Sequence, residues 1–182
     1  TMEVAMPMFQ LGFKSVPLGM GKEAVMQEAV GDLAAEALFG ESSRLYMQLY
    51  EQGLIDGSFG GGYDTVDGMS MLTCSGDSPD PEAVRDVILK QVHNLLEQGL
   101  PETEFLRMKR SALGRRIRDL DSFDATAFRI CAYHFSGFDY FEFPLVYQQI
   151  NAEQVLAFLQ ETVTEQRCCL SVIYPNSREE VL

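Results

Sequence analysis

Residues 39–63, FGESSRLYMQLYEQGLIDGSFGGGY, join a serine pair, a short amphipathic run and three successive glycines. Two readings compete for this stretch. Glycines that cradle a phosphate lead from a strand into a helix, with GxxxxGK[ST] or GxGxxG spacing. Here the order is reversed, because the glycines follow a helical pattern and run into Tyr63, Thr65 and Val66. Ser42 or Ser43 is placed to cap a helix reaching Gln52, with Leu45 and Leu49 one turn apart and Gly53 as its stop. The stretch therefore reads as a helix feeding a glycine-rich strand. Glycine inside a strand marks a bulge, a bend or close approach of another backbone. Either a helix lies close over this strand, or the strand forms the wall of a functional cleft.

Working outward, Asp67-Gly68 separates a Tyr/Thr/Val run from a Met/Leu/Thr run, the signal of a type I′ hairpin. Upstream, EVAMPMFQLGFK carries apolar residues on both parities, as a strand covered on both faces would, and Pro7 suggests an edge or a bulge. From Lys22 the period becomes helical, with Val30, Leu33, Ala34, Ala37 and Leu38 on one face and Gly40 as the stop. Downstream, Asp80 and Pro81 stand as N-cap and first residue of a helix that keeps its apolar stripe to Gly99. Pro101 opens another, with Phe105, Met108, Ala112, Leu113, Ile117 and Leu120 turned inward. Ser122 is placed to cap the next, through Phe128, Cys131 and Phe135. Asn151 with Gln154 makes a capping-box start, and RCCLSVIYP closes the chain as a strand whose neighbouring cysteines fill its two faces. This order predicts an α+β fold: a mainly antiparallel sheet with strands from both chain ends and helices on one face.

The 182 residues suit one domain, 1–182. Twenty-seven acidic against 14 basic residues, a net charge of −13, argue against nucleic acid and anionic membranes as partners. No apolar run approaches the roughly 20 residues that span a bilayer. Four cysteines without CxxC or framework spacing fit reduced thiols and a cytoplasmic setting. The opening TMEVAMPMFQLGFK reads as a piece of something longer.

Few groups offer chemistry. His93 and His134 sit on different helices outside any HxxEH, HExxH or CxxC frame, so no metal ligand is assigned. Cys131 and His134 lie three apart, but a cysteine on an apolar stripe is usually core. Lys109, Arg110, Arg115, Arg116 and Arg118 spread around their helix at 100° per residue and read as a solvated, partly paired surface.

The segment LFGESSRLYMQLYEQGLIDGSF and its glycine-rich strand resemble the C-terminal half of insulinase/pitrilysin-type zinc peptidases, in particular a bacterial processing-peptidase-like subgroup. The likeness extends to VAMPMFQLGFK, SGDSPDPEAV, PETEFLRMKRSALGR and LSVIYP, and so covers nearly the whole chain. It implies one half of a clamshell around a peptide chamber, with zinc held by an HxxEH motif in an N-terminal half that is absent here. It implies as partners that N-terminal half, or a paired subunit, and a peptide or protein substrate. Active members contribute from this half an Arg near the end of the SSRL helix and a Tyr about seven residues later, suited to stabilising an oxyanion beside the metal. Those positions fall on Tyr50 and on Asp56 or Gly57, so the pair is missing. No catalytic or metal-binding residue is expected in this chain, and Tyr46, Tyr50, Phe59 and Tyr63 are the substrate-facing candidates. The resemblance leaves two outcomes: a non-catalytic half that completes a working peptidase, or a scaffold that binds without cleaving.

Overall fold

A computed structural model describes residues 4–66 and 68–176. The chain runs β1 (Met8–Lys14), α1 (Gly21–Phe39), α2 (Arg44–Glu51), β2 (Gly60–Val66), β3 (Met69–Asp77), α3 (Pro81–Gln98), α4 (Glu102–Arg118), α5 (Phe123–Phe135), α6 (Phe143–Gln149), α7 (Ala152–Thr162) and β4 (Cys168–Ile173). The four strands form an antiparallel sheet in the order β2-β3-β1-β4. First and last strands meet directly, with Met8 opposite Ile173. The expected α+β fold, with strands from both chain ends and helices on one face, is the observed one.

Side-chain alternation decides the faces of the sheet. Phe9, Leu11 and Phe13 of β1 and Leu72 and Cys74 of β3 are buried beneath the helices. Their neighbours Met8, Gln10, Lys14, Met69 and Ser75 point to the opposite, open side. The expectation that β1 is covered on both faces is thus overturned. Pro7 also marks no edge, because β1 pairs on both sides and Pro7 lies just outside the ladder, its carbonyl accepting from the Ser78 amide at 3.0 Å. The vicinal cysteines divide likewise: Cys168 is half-buried against the core, while Cys169 is exposed on the open face.

The caps fall where the residue types place them. Between the two serines it is Ser43 that caps α2. Its buried Oγ accepts from the Tyr46 amide at 3.0 Å and donates to the Leu38 carbonyl at 2.9 Å, tying the start of α2 to the end of α1. Asp80 accepts from the Ala83 amide at 3.0 Å, and Asn151 with Gln154 forms a complete capping box. Ser122 occupies the N-cap position of α5 but makes no side-chain cap bond. Asp67 lies outside the described residues; its neighbour Gly68 has φ +77°, the left-handed conformation that a type I′ turn requires.

Helix α5 departs furthest from expectation. None of its residues is buried, and Phe123, Phe128 and Phe135 are 85%, 74% and 86% exposed. Ile117, expected inward on α4, is also exposed. The core that α5 does not fill is supplied by the segment after it, where Phe138, Tyr140, Phe143, Val146 and Tyr147 are buried.

The glycine-rich strand is approached by a helix. A Cβ at Gly61 would lie 2.4 Å from the Phe39 ring of α1 and 2.7 Å from the Thr73 carbonyl oxygen, and one at Gly31 of α1 would lie 2.5 Å from the Tyr63 ring. A Cβ at Gly60 meets nothing. Gly31→Ala and Gly61→Ala are therefore expected to cost about 1–3 kcal/mol each by overpacking, with Gly60→Ala far milder, as read by urea unfolding. Ser43→Ala should cost about 1–2 kcal/mol in the same assay, because two helix ends lose a partner at once.

Candidate functional site

The four aromatic candidates do not gather into one surface. Tyr46 and Tyr50 stand one turn apart on α2 and stack, with ring centroids 6.1 Å apart and planes at 9°. Tyr50 is 57% exposed, whereas Tyr46 leans on Phe59 at 6.0 Å. Phe59 is only 5% exposed and packs edge-on against Phe39 at 6.1 Å. These three step from solvent into the core, and Tyr50 alone among them is presented outward. Tyr63 lies elsewhere, on the helix side of β2, edge-on to Phe158 at 5.5 Å with its hydroxyl accepting from Gln27 Nε2 at 3.3 Å. Asp56 and Gly57 occupy the exposed turn after α2, where hydrogen bonds from Ser58 hold the Asp56 carboxyl below its usual range.

The open face of the sheet is an uncovered surface built by regular structure. Met8, Val66, Met69 and Ile173 are exposed there. Between them lie residues with little or no side chain, including Gly12, Gly60, Ser75 and Ser171. Flexible thioethers beside exposed backbone suit an adaptable surface for an extended chain. The sequence signal for it is the alternation of Phe9, Leu11 and Phe13 within MFQLGFK, masked by the flexible, apolar Met8 on the outer parity.

Among the described residues no group of three or more His, Cys, Asp and Glu side chains could hold a metal ion. His93 is exposed and contacts Glu97 at 3.2 Å on the same helix. Cys131 is not core, as expected from its apolar stripe, but exposed on α5. No helix among the described residues is long and apolar enough to cross a membrane.

The basic helix α4 is not simply a solvated surface. Arg115 pairs with Glu36 at 3.1 Å, yet Arg116 turns inward, its Nη2 donating at 2.9 Å to the Tyr133 hydroxyl, which in turn donates at 2.6 Å to Glu28. The Arg116 guanidinium lies over the rings of Tyr133 and Phe143 at 5.9 and 6.0 Å. Arg116 borders a cavity of about 600 Å³ between α1, β2 and α4. Asp32 projects into this cavity from α1. Asp32 is exposed by its surface area, but the protein atoms crowded around its carboxyl desolvate it and raise its pKa from 3.8 to about 6 against the opposing pull of Arg116. Neither Asp32 nor the inward turn of Arg116 follows from residue type. The one clue is an aspartate set among Val30, Leu33 and Ala34 on a mostly buried helix.

A raised carboxylate pKa means that the folded chain holds a proton which the unfolded chain has released between roughly pH 4 and 6. The stability associated with Asp32 therefore falls as pH rises through that window, and the full penalty is present above it. Asp32→Asn should gain stability relative to the parent at pH 7.5 and lose that advantage at pH 4.5. Urea unfolding at the two pH values reads the difference, and a difference independent of pH would contradict the assignment.

A family model described as the peptidase M16 inactive domain matches residues 1–112. The uncharacterized zinc protease YmfH of Bacillus subtilis is 30% identical over 177 residues, covering 97% of this chain and 41% of that protein. The chain thus spans less than half the length of this curated relative. Among solved structures, an M16-like peptidase from Alicyclobacillus acidocaldarius superposes with a TM-score of 0.85 at 24% identity, over 95% of this chain and 42% of that one. The inactive peptidase domain of a zinc protease from Bordetella parapertussis superposes with a TM-score of 0.77 at 16% identity, over 100% and 99%. At these identities the two structures speak for the fold alone. The family match over residues 1–112, with 30% identity to a zinc protease across nearly the whole sequence, places the chain in the peptidase M16 family as its inactive domain.

Proposed function

We propose that residues 1–182 form the non-catalytic half of a zinc-dependent metallopeptidase, working in the cytoplasm, and that the open sheet face lines a chamber for peptide substrates. The zinc and its ligands belong to an N-terminal half, in the same protein or in a paired subunit. The observation that carries this reading is the open, methionine-bearing sheet face on a chain that spans 41% of a relative described as a zinc protease. An extended peptide on that face meets backbone and small residues in the middle, with Met8, Met69 and Ile173 to adapt around its side chains. Free cysteines at Cys74, Cys131, Cys168 and Cys169 fit a reducing compartment.

A second reading, a peptide-binding scaffold without cleavage, is favoured by one observation. Tyr50 stands where the resemblance implies an arginine, and Asp56 or Gly57 where it implies a tyrosine. Tyr50 is exposed on the last turn of α2 and can present a phenol, but it cannot supply a cation.

Zinc content and hydrolysis of a quenched fluorescent peptide, measured on this chain and on the full-length protein side by side, separate the readings. The metallopeptidase reading expects about one zinc and cleavage in the full-length protein and neither in this chain alone. It also expects Met69→Glu on the open face to raise KM several-fold. A full-length protein with neither zinc nor activity would overturn it in favour of the scaffold.

A further inference from the structure

The cavity beside Arg116 is lined by more guanidinium groups than carboxylates. Four of the chain's 14 basic residues line it, namely Arg115, Arg116, Arg118 and Arg129. Three carboxylates line it as well. Glu36 is taken by Arg115 at 3.1 Å and Asp119 by Arg129 at 3.0 Å, which leaves Asp32 as the lining carboxylate for Arg116 and Arg118, while Glu28 reaches Arg116 through the Tyr133 hydroxyl. Among the described residues neither Arg116 nor Arg118 has a carboxylate within ion-pair distance. Among the described residues the buried Nη1 of Arg116 meets no acceptor in good hydrogen-bond geometry, the Tyr147 hydroxyl being near the guanidinium. A buried guanidinium N–H left unpaired is costly, and an anion is the group that satisfies it.

We propose that this cavity is a binding site for an organic carboxylate, with Arg116 as the inner cation and Arg118 at the mouth. The volume, about 600 Å³, exceeds what a bare ion fills. Ala35 and Ala112 give part of the wall an apolar character that suits the body of an organic acid. Asp32 disfavours a doubly charged phosphate, whereas a single carboxylate can lie beside the guanidinium in planar, two-pronged geometry. Gly61 and Gly62 of β2, an outer strand of the sheet, border the same space, so the acid can come free in solution or at the end of an extended peptide. The cavity lies on the helix side of the sheet, away from the open face, and the inference does not depend on the chamber reading.

Titration of the 182-residue chain, followed by the backbone amide shifts of Gly61 and Gly62 and by melting temperature, tests the site. The probes are N-acetylalanine, acetyl-tetraalanine with a free C-terminus, its C-terminal amide, and inorganic phosphate. The free acids should bind saturably and the amide and phosphate should not. Arg116→Met and Arg118→Gln should each weaken binding about tenfold, the loss of a charge-assisted hydrogen bond. Arg118 is exposed, so its variant decides the matter if Arg116→Met fails to fold. Equal binding of acetylalanine and the peptide assigns the site to free acids, and binding of the peptide alone assigns it to chain termini. No saturable response to either acid, equal response to the amide or to phosphate, or undiminished binding by the Arg118 variant would overturn the proposal.

Discussion

The close contact between α1 and β2 sets the spacing of this fold. Phe39 of the helix sits over Gly61 of the strand, and Tyr63 of the strand sits under Gly31 of the helix, so each element offers an absent side chain to an aromatic ring of the other. The exchange fixes the depth and the lengthwise position of α1 at once. The buried face of α1 then carries Leu33, Ala34 and Leu38 into the core, while Asp32 and Glu36 are left along its flank beside α4. The cavity that borders Arg116 is a result of this arrangement, since it lies where α1, β2 and α4 diverge around a seam already fixed elsewhere.

What the sequence made legible was local. The caps at Asp80 and Asn151 and the stop at Gly53 rest on hydrogen bonds between residues a few positions apart, or on backbone conformations that glycine tolerates. The choice between Ser42 and Ser43 could not be made locally, because the deciding partner is the Leu38 carbonyl of the preceding helix. Burial was harder still. Phe128 and Phe135 have the periodicity of a core stripe, yet among the described residues no element packs over them. Met8 and Met69 are apolar but lie on the open side, so the apolar Met8 on the outer parity of β1 mimics a strand covered on both faces. Hydrophobicity reports what a side chain can bury, and only the neighbours determine whether it does.

The candidate site divides in the same way. The aromatic candidates lie in or just after the SSRL helix, and nearness along the chain says nothing about direction. Phe59 follows that helix and turns inward to Phe39, and Tyr50 ends it and turns out. Arg116 is a sharper case, because on a helix with five basic residues between Lys109 and Arg118 nothing in the local pattern distinguishes the one that tertiary packing draws over Tyr133 and Phe143.

The pairing of β1 with both β3 and β4 bears on how the chain is assembled as it is made. Strand β1 precedes the other three in the sequence, but one of its two edges remains unpaired until residues 168–173 emerge. A contact between positions so far apart carries a large loop-closure cost and slows folding relative to a domain of local contacts. During synthesis the β1–β3 pair and its covering helices present a bare edge to the ribosome exit and to neighbouring nascent chains. The last strand closes the sheet, and truncation before Cys168 would leave β1 as an open edge and a site for pairing with another chain.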